Sequence, residues 1–297
     1  MDRLDAMRIF LAVAEKSGFA EAARYLRLSP PSVTRAIASL EERLGTSLFQ
    51  RSTRHVRLTQ AGQRFQMDAR RILADLEEAE ASAAGDHGAP QGDLSITASV
   101  MFGSLYVAPL VQDFLQLHPR VNARLLLLDR VTNLIDEGFD IAVRIAQLQD
   151  SSLRAIRVGA VRRVIVAAPV YLAQHGEPQT PDDLLQHDAI AFSSAAGVDQ
   201  WTFKDNLRVA PPARFTVNSS DVAIRAAIAG RGVTRVLSYM VAPALASGQL
   251  KILLSDYELP PTPVQLVHAE GRRANAKVRA FLDFAVERLR SEPVLQN

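Results

Sequence analysis

The chain has 297 residues, 48% of them hydrophobic and none of them cysteine, with a net charge of +2. That length gives room for about two domains, and the absence of cysteine excludes disulfide frameworks and thiolate metal sites. No apolar run in the sequence approaches the ~18 residues of a membrane span and the N-terminus lacks signal-peptide order, so a soluble, cytoplasmic protein is expected.

Charge is distributed unevenly. Residues 16–71 hold eleven Lys and Arg against four acids, a local +7, whereas residues 72–90 hold five acids and no Lys or Arg. From 91 onward the balance is 21 basic to 20 acidic. A basic block at one end of a near-neutral chain is the footprint of a module that binds a polyanion.

The first predicted element is an amphipathic helix over 2–16, with Leu4, Met7, Phe10, Leu11 and Ala14 at helical spacing. After the break at "KSGF" a short helix runs from Ala20 to Leu26. The segment "SPPSVTRAIASLEERLG", 29–45, starts a third helix. Ser29 is placed as its N-cap, and Pro30 and Pro31 sit where a missing N–H costs nothing. Val33, Ile37, Leu40 and Leu44 form its buried face, and Gly45 its C-cap. Three short helices with tight turns make a helix-turn-helix, and "FQRSTRHVRLTQAG" reads as a hairpin wing.

Residues 60–84 return to helix. Phe65, Ala69, Ile72, Leu76, Ala79 and Ala83 make a narrow heptad seam, favouring pairing with a second subunit over packing within one. "AAGDHGAPQGD", 83–93, is a linker. Beyond it, the runs LSITA, ARLLLL, DIAVRI, VRRVIVAA, DAIAF and VQLVHA alternate with helical patterns at 104–117, 220–230 and 275–290. Alternation of this kind predicts an α/β domain with a largely parallel sheet and, at this length, two lobes.

The stretch "MRIFLAVAEKSGFAEAARYLRLSPPSVTRAIASLEERLGTSLFQRSTRHVRLTQAG" resembles the winged helix-turn-helix of LysR-type transcriptional regulators over about 60 consecutive residues, and the remainder fits the family more weakly. Three departures stand out: Pro30 replaces the family's usual Gln, Ala20 replaces a capping Ser or Thr, and Ser17 and Gly18 are in reversed order. The resemblance implies a multidomain chain. An all-α winged helix-turn-helix would occupy 1–59 and a dimerising linker helix and hinge 60–90. A two-lobed, periplasmic-binding-protein-like α/β effector domain would occupy 91–297, with lobes at about 91–161 plus 267–297 and at 162–266.

It also implies a transcription regulator that binds an interrupted palindrome in double-stranded DNA as a homodimer or homotetramer. A small-molecule effector, and RNA polymerase as a further contact, complete the expected partners; no membrane, metal or cofactor is expected. On the predicted recognition helix, Ser32, Thr34 and Arg35 are left outside the buried face, with Arg35 suited to base or phosphate and Thr34 to phosphate or a thymine methyl. The plain alternative for Arg35 is an ion pair with Glu41 or Glu42. Arg51 and Arg54 in the wing are expected to reach phosphate or the minor groove.

For the effector, "TASVMFGSL" puts Ser99, Val100, Met101 and Phe102 at a strand end opening a helix, a seat for an anion by its free N–H groups. Met101 and Phe102 favour an apolar or aromatic ligand. The resemblance adds Arg144, Ser193, Trp201, Asn218, Ser219, Thr234 and Arg235. Core packing is the alternative for Trp201, the sole tryptophan, and pairing with Asp129 or Asp140 the alternative for the two arginines. The six histidines show no metal-ligand spacing, and no GxSxG or P-loop occurs, so no catalytic residues are expected. A solute-binding or enzymatic lobe fused to a DNA-binding module is the competing reading.

Overall fold

The computed structural model describes residues 2–51, 56–83, 89–130, 132–148, 153–192, 200–269 and 276–296. Two compact units emerge, one formed by Met1–Gly92 with Ile135–Gly138 and the other by Asp93–Leu134 with Phe139–Asn297.

The first unit is built on three helices, α1 (Arg3–Lys16), α2 (Phe19–Leu26) and α3 (Pro30–Leu44). α1 buries Ala6, Ile9, Phe10, Ala12 and Val13, a broader face than the expected seam, because α2, α3 and a later helix all pack around it. α3 begins as its sequence demands: Ser29 caps it by accepting the Ser32 N–H at 3.3 Å, the two prolines fill the first turn, and Gly45 ends it at φ 65°. Val33, Ala36, Ile37 and Leu40 are buried, but the expected seam stops there and Leu44 is 43% exposed. α2 starts at Phe19, with Gly18 as its N-cap. Ala20 is therefore inside the first turn, and the lost Ser or Thr cap does not belong to that position.

The wing pairs β1 (Phe49–Arg51) with β2 (Val56–Leu58), antiparallel, Gln50 opposite Arg57. It leads into α4 (Gln60–Ala83). A Cβ on Gly62 would lie 2.0 Å from the Leu48 carbonyl oxygen, so the helix can approach the wing this closely only with glycine there. Phe10 sits at the centre of the core, its ring 5.2 Å from Phe49 and 5.1 Å from Phe65.

The heptad expectation is corrected at its start. Phe65 and Ala69 pack into the core of their own subunit. Leu73 is buried, whereas Ile72 is 37% exposed. Within the chain the inward row is 65, 69, 73, an i+4 row, and Ile72 stays exposed beside it.

The second unit has two sheets. Its first elements are β3 (Gly92–Ala98), α5 (Val100–Phe102), α6 (Ala108–Leu117), β4 (Val121–Leu127), β5 (Ile141–Ile145) and β6 (Leu153–Val161). Then follow β7 (Arg163–Ala167), α7 (Pro169–His175), β8 (Ala189–Phe192), β9 (Trp201–Thr202), β10 (Arg208–Val209), β11 (Ala213–Val217) and α8 (Ser220–Ile228). The chain ends with β12 (Val233–Leu237), α9 (Ser238–Ala246), β13 (Lys251–Leu253), β14 (Thr262–Ala269) and α10 (Ala276–Arg290). Strand order is β4-β3-β5-β14-β6 in the first sheet and β11-β8-β12-β7-β13 in the second.

Both sheets are mixed, which corrects the expectation of a largely parallel one. β14 runs antiparallel to β5 and β6, and β7 antiparallel to β12 and β13. These reversals come from the strands flanking the two crossings between lobes. The first crossing is at Arg162. The return falls between β13 and β14, so 262–266 belong to the first lobe and not the second. Val264, Leu266 and Val267 are fixed there by pairing on both edges.

The crossings run side by side. The Arg162 N–H donates to Ser238 Oγ at 3.1 Å, and Arg162 Nε lies 3.6 Å from a Glu258 carboxylate oxygen. Burial pushes the Glu258 carboxyl above its usual pKa, and Arg162 only partly offsets that.

α5 and α6 join through a π-helical segment, Gly103–Val107, into one helix of 18 residues with mean hydropathy 1.2. That helix reaches span length where no span was expected. Phe102, Val107, Leu110, Val111 and Phe114 bury its inner side against the first sheet, as in a core helix. A Cβ on Gly103 would stand 2.1 Å from Leu127, so glycine allows this close packing.

Candidate nucleic-acid interface and effector site

The turn into α3 is made by Arg27 at φ 55°, with the Leu28 N–H closing α2 on the Ala23 carbonyl at 2.9 Å. α3 then leaves Pro30, Pro31, Thr34, Arg35 and Ala38 exposed, with Ser32 partly so. Their polar groups are arranged along the first turns. The Ser32 and Ser29 hydroxyls pair at 2.8 Å. Thr34 Oγ1 donates to the Pro30 carbonyl at 3.0 Å, and Arg35 Nε to the Pro31 carbonyl at 3.4 Å. Four guanidinium N–H groups of Arg35 stay outward.

Arg35 forms no ion pair with Glu41 or Glu42 among the described residues. Glu41 has another task, accepting the Leu48 and Phe49 N–H groups at 2.7 and 3.1 Å and so fixing the foot of the wing. Arg54 and the Arg51 side chain lie outside the described residues. Sequence reasoning passed over Arg27, which is exposed directly beside the α3 N-terminus. Its signal was the cap itself, since a cation just before Ser29 must stand where α3 begins.

In the second unit, β3 delivers Ser99 as N-cap of α5, but the Ser99 hydroxyl makes no capping bond. The Val100 N–H donates instead to Asp129 Oδ1 at 2.9 Å. The expected anion seat is thus filled by the protein's own carboxylate. The Ser99 hydroxyl and the phenolic oxygen of Tyr239 are both buried and lie near one another, with no hydrogen bond of full geometry among the described residues. Burial raises the Tyr239 pKa well above the ordinary tyrosine range and the Asp129 charge adds to it, so the phenol is a neutral donor at physiological pH. Tyr239 also closes a ring cluster, 5.2 Å from Phe102 and 5.9 Å from Tyr106. Tyr239 was not singled out from sequence, and Asp129 was expected to pair an arginine instead of holding the Val100 N–H.

Across from α5 stands the start of α8, where Ser220 Oγ reaches Met101 Sδ at 3.9 Å. Asn218 is exposed and Ser219, the α8 N-cap, is half-buried without a side-chain cap bond. The structure therefore brings together Ser99, Val100, Met101 and Phe102 with Asn218 and Ser219. Val100 is 45% exposed, whereas Phe102 is fully buried.

The other expected pocket residues are placed differently. Trp201 is 2% exposed and packs with Ile165, Tyr171, Leu184 and Phe203. Arg235 lies over it at 5.3 Å and donates to the Thr202 carbonyl at 3.4 Å. Alternation along β12 puts Val233 and Arg235 on that face, and Val236 on the opposite face with α8, α9 and Met101. Trp201 and Arg235 are thus on the wrong side of the second sheet to meet Ser99–Phe102. Thr234 is fully buried, its hydroxyl donating to the Ile190 carbonyl at 2.9 Å. Arg144 donates to the Thr132 carbonyl at 2.6 Å and to its hydroxyl. Asp129 and Asp140, the expected partners of the arginines, accept backbone N–H groups of Val100 and Ser95. Ser193 lies outside the described residues.

Two family profiles match the chain, the bacterial regulatory helix-turn-helix of the lysR family over residues 4–63 and the LysR substrate binding domain over 87–290. The regulator CrgA of Neisseria meningitidis is 31% identical over 290 residues, 96% of each chain. Its solved structure superposes with a TM-score of 0.61 at 30% identity, covering 96% of this chain and 98% of that one. The transcriptional activator AaeR of Escherichia coli is 31% identical over 286 residues, 95% of this chain and 93% of that one. A transcriptional repressor of Pseudomonas aeruginosa is also 31% identical, over 304 residues, 100% of this chain and 95% of that one. With an exposed, basic-flanked α3 in one unit and two α/β lobes in the other, the chain belongs to the LysR family of transcriptional regulators, with a DNA-binding helix-turn-helix and an effector-binding domain.

Proposed function

We propose that this regulator binds an interrupted palindrome in the cytoplasm as a homodimer or homotetramer, and that a small molecule between α5 and α8 shifts that binding. The carrying observation is α3, whose buried face packs into the core while Thr34 and Arg35 stand exposed. Arg35 would contact base or phosphate, Ser32 and Thr34 the neighbouring groove, and Arg51 and Arg54 the flanking phosphates or minor groove. Pairing of α4 helices, through Ile72 and the positions beyond it, would space two such α3 helices. The regulatory unit, or a surface near the DNA, would meet RNA polymerase.

For the effector, the geometry favours an uncharged molecule with an apolar body. Asp129 fills the α5 N-terminus, so an entering carboxylate meets a negative charge where free N–H groups were expected. The Ser99 and Tyr239 hydroxyls are left to bond a neutral polar group, amid Met101, Phe102 and Tyr106. Such a ligand acts only through different affinity for two arrangements of the subunits. Footprints of the target duplex with and without candidate neutral aromatics test the reading: a changed footprint supports it, and identical footprints for every candidate contradict it.

A further inference from the structure

The exposed face of α3 has a composition that its role as recognition helix does not require. Positions 30, 34 and 38 fall one above another along an i, i+4 row. They are Pro30, Thr34 and Ala38, all exposed. Glu42 continues the row a turn later, at the end of the helix farthest from the N-terminal residues that enter a groove. Pro30 and Ala38 carry no hydrogen-bonding side chain. The single hydroxyl donor on the row belongs to Thr34, and it is engaged by the Pro30 carbonyl at 3.0 Å. Apart from a lone pair on that hydroxyl, what the row offers a base edge is the proline ring and two methyl groups.

In the major groove only thymine presents a methyl group, at C5, and apolar side chains such as Ala and the Thr methyl are its natural partners. A guanine edge, all acceptors, placed against this row would lose its water and gain no hydrogen bond, and an adenine amino group would find only the lone pair of the Thr34 hydroxyl. Arg35 stands one residue to the side with four outward N–H groups, so hydrogen-bonded readout and phosphate anchoring fall to it and not to the row. The surrounding +7 block of residues 16–71 supplies the attraction to the duplex.

We infer that the Pro30–Thr34–Ala38 row reads thymine C5-methyl groups in each half-site, by apolar contact in place of amide hydrogen bonding. The inference rests on α3 being the helix that enters the major groove. It is tested on duplexes selected by the full-length protein from a random library, each dT of the half-site then replaced in turn by dU. That change removes only the methyl and leaves every hydrogen-bonding group in place. Uracil at one or more positions lowers affinity about fourfold, equivalent to ~0.8 kcal/mol for one methyl.

Thr34→Ser removes the side-chain methyl and keeps the hydroxyl, so it binds the dT and dU duplexes alike at one of those positions. Thr34→Val keeps the methyl and retains the fourfold difference. Unchanged affinity for every dU duplex overturns the inference, even with an intact operator in hand. Discrimination that survives Pro30→Ser, Thr34→Ser and Ala38→Gly together overturns it as well. If selection enriches no duplex at all, the reading of α3 as a DNA-binding helix fails first.

Discussion

Thr34 and Arg35 stand exposed on α3, while Thr234 and Trp201, put forward for the other function of the chain, are sealed inside the second lobe. The winged unit recognises from its outside: once Val33, Ala36, Ile37 and Leu40 are assigned to the core, the residues left over are the candidates. The regulatory unit recognises from its inside, where a lining residue and a packing residue have the same spacing and the same chemistry. Elimination works in the first case and not in the second.

The sharpest way to break this contrast is to damage the core that presents the outer face. Phe10→Ala, at the meeting point of Phe49 and Phe65, is expected to cost about 3–5 kcal/mol and abolish DNA binding, as followed by chemical denaturation and gel shift. In the regulatory unit, Trp201→Phe is expected to cost about 1–3 kcal/mol and leave effector affinity unchanged by calorimetry, because Trp201 belongs to the core. A large loss of effector affinity with stability intact would return Trp201 to the pocket. Asp129→Asn removes a charged cap and is expected to cost about 0.5–2 kcal/mol. It should also let carboxylate-bearing ligands bind that the wild type refuses, read by thermal shift.

The smallest expected effect concerns pH. Burial lowers the His187 pKa first, His175 adds to the shift, and Asp183 and Asp188 oppose it. With its folded pKa depressed below the unfolded value of about 6.5, His187 contributes stability above that pH. The contribution is lost as pH falls through the folded value, because the unfolded chain takes up the proton first. Unfolding free energies from urea titrations should therefore drop more between pH 7.5 and 5.5 for wild type than for His187→Asn, by at most ~1.4 kcal/mol per pH unit.

How much of this was legible in the sequence follows from the range of the interactions. Ser29, Pro30, Pro31 and Gly45 act on their own helix, so the bounds of α3 could be read directly. The wing and the six apolar runs were legible for the same reason, since alternation is local. The inward row of α4 was not, because burial of Leu73 in place of Ile72 depends on tertiary neighbours that no helical period reports. The lobe boundary was misplaced by several residues, as β14 is drawn to the first sheet by partners more than a hundred positions earlier. At the proposed effector site, Val100 meets Asp129 across 29 positions and Met101 meets Ser220 across 119. No periodicity reports contacts of that kind, and so an occupied helix N-terminus looked vacant.

The account stands most directly on Arg35, the exposed cation of α3. Binding of the selected duplex by wild type and Arg35→Ala, measured over a series of salt concentrations, tests it. We predict at least a tenfold weaker complex for the variant at physiological salt, and a slope of log affinity against log salt smaller by about one if the contact is to phosphate. Equal affinity at every salt concentration, with the same slope, would contradict the assignment of α3 to DNA.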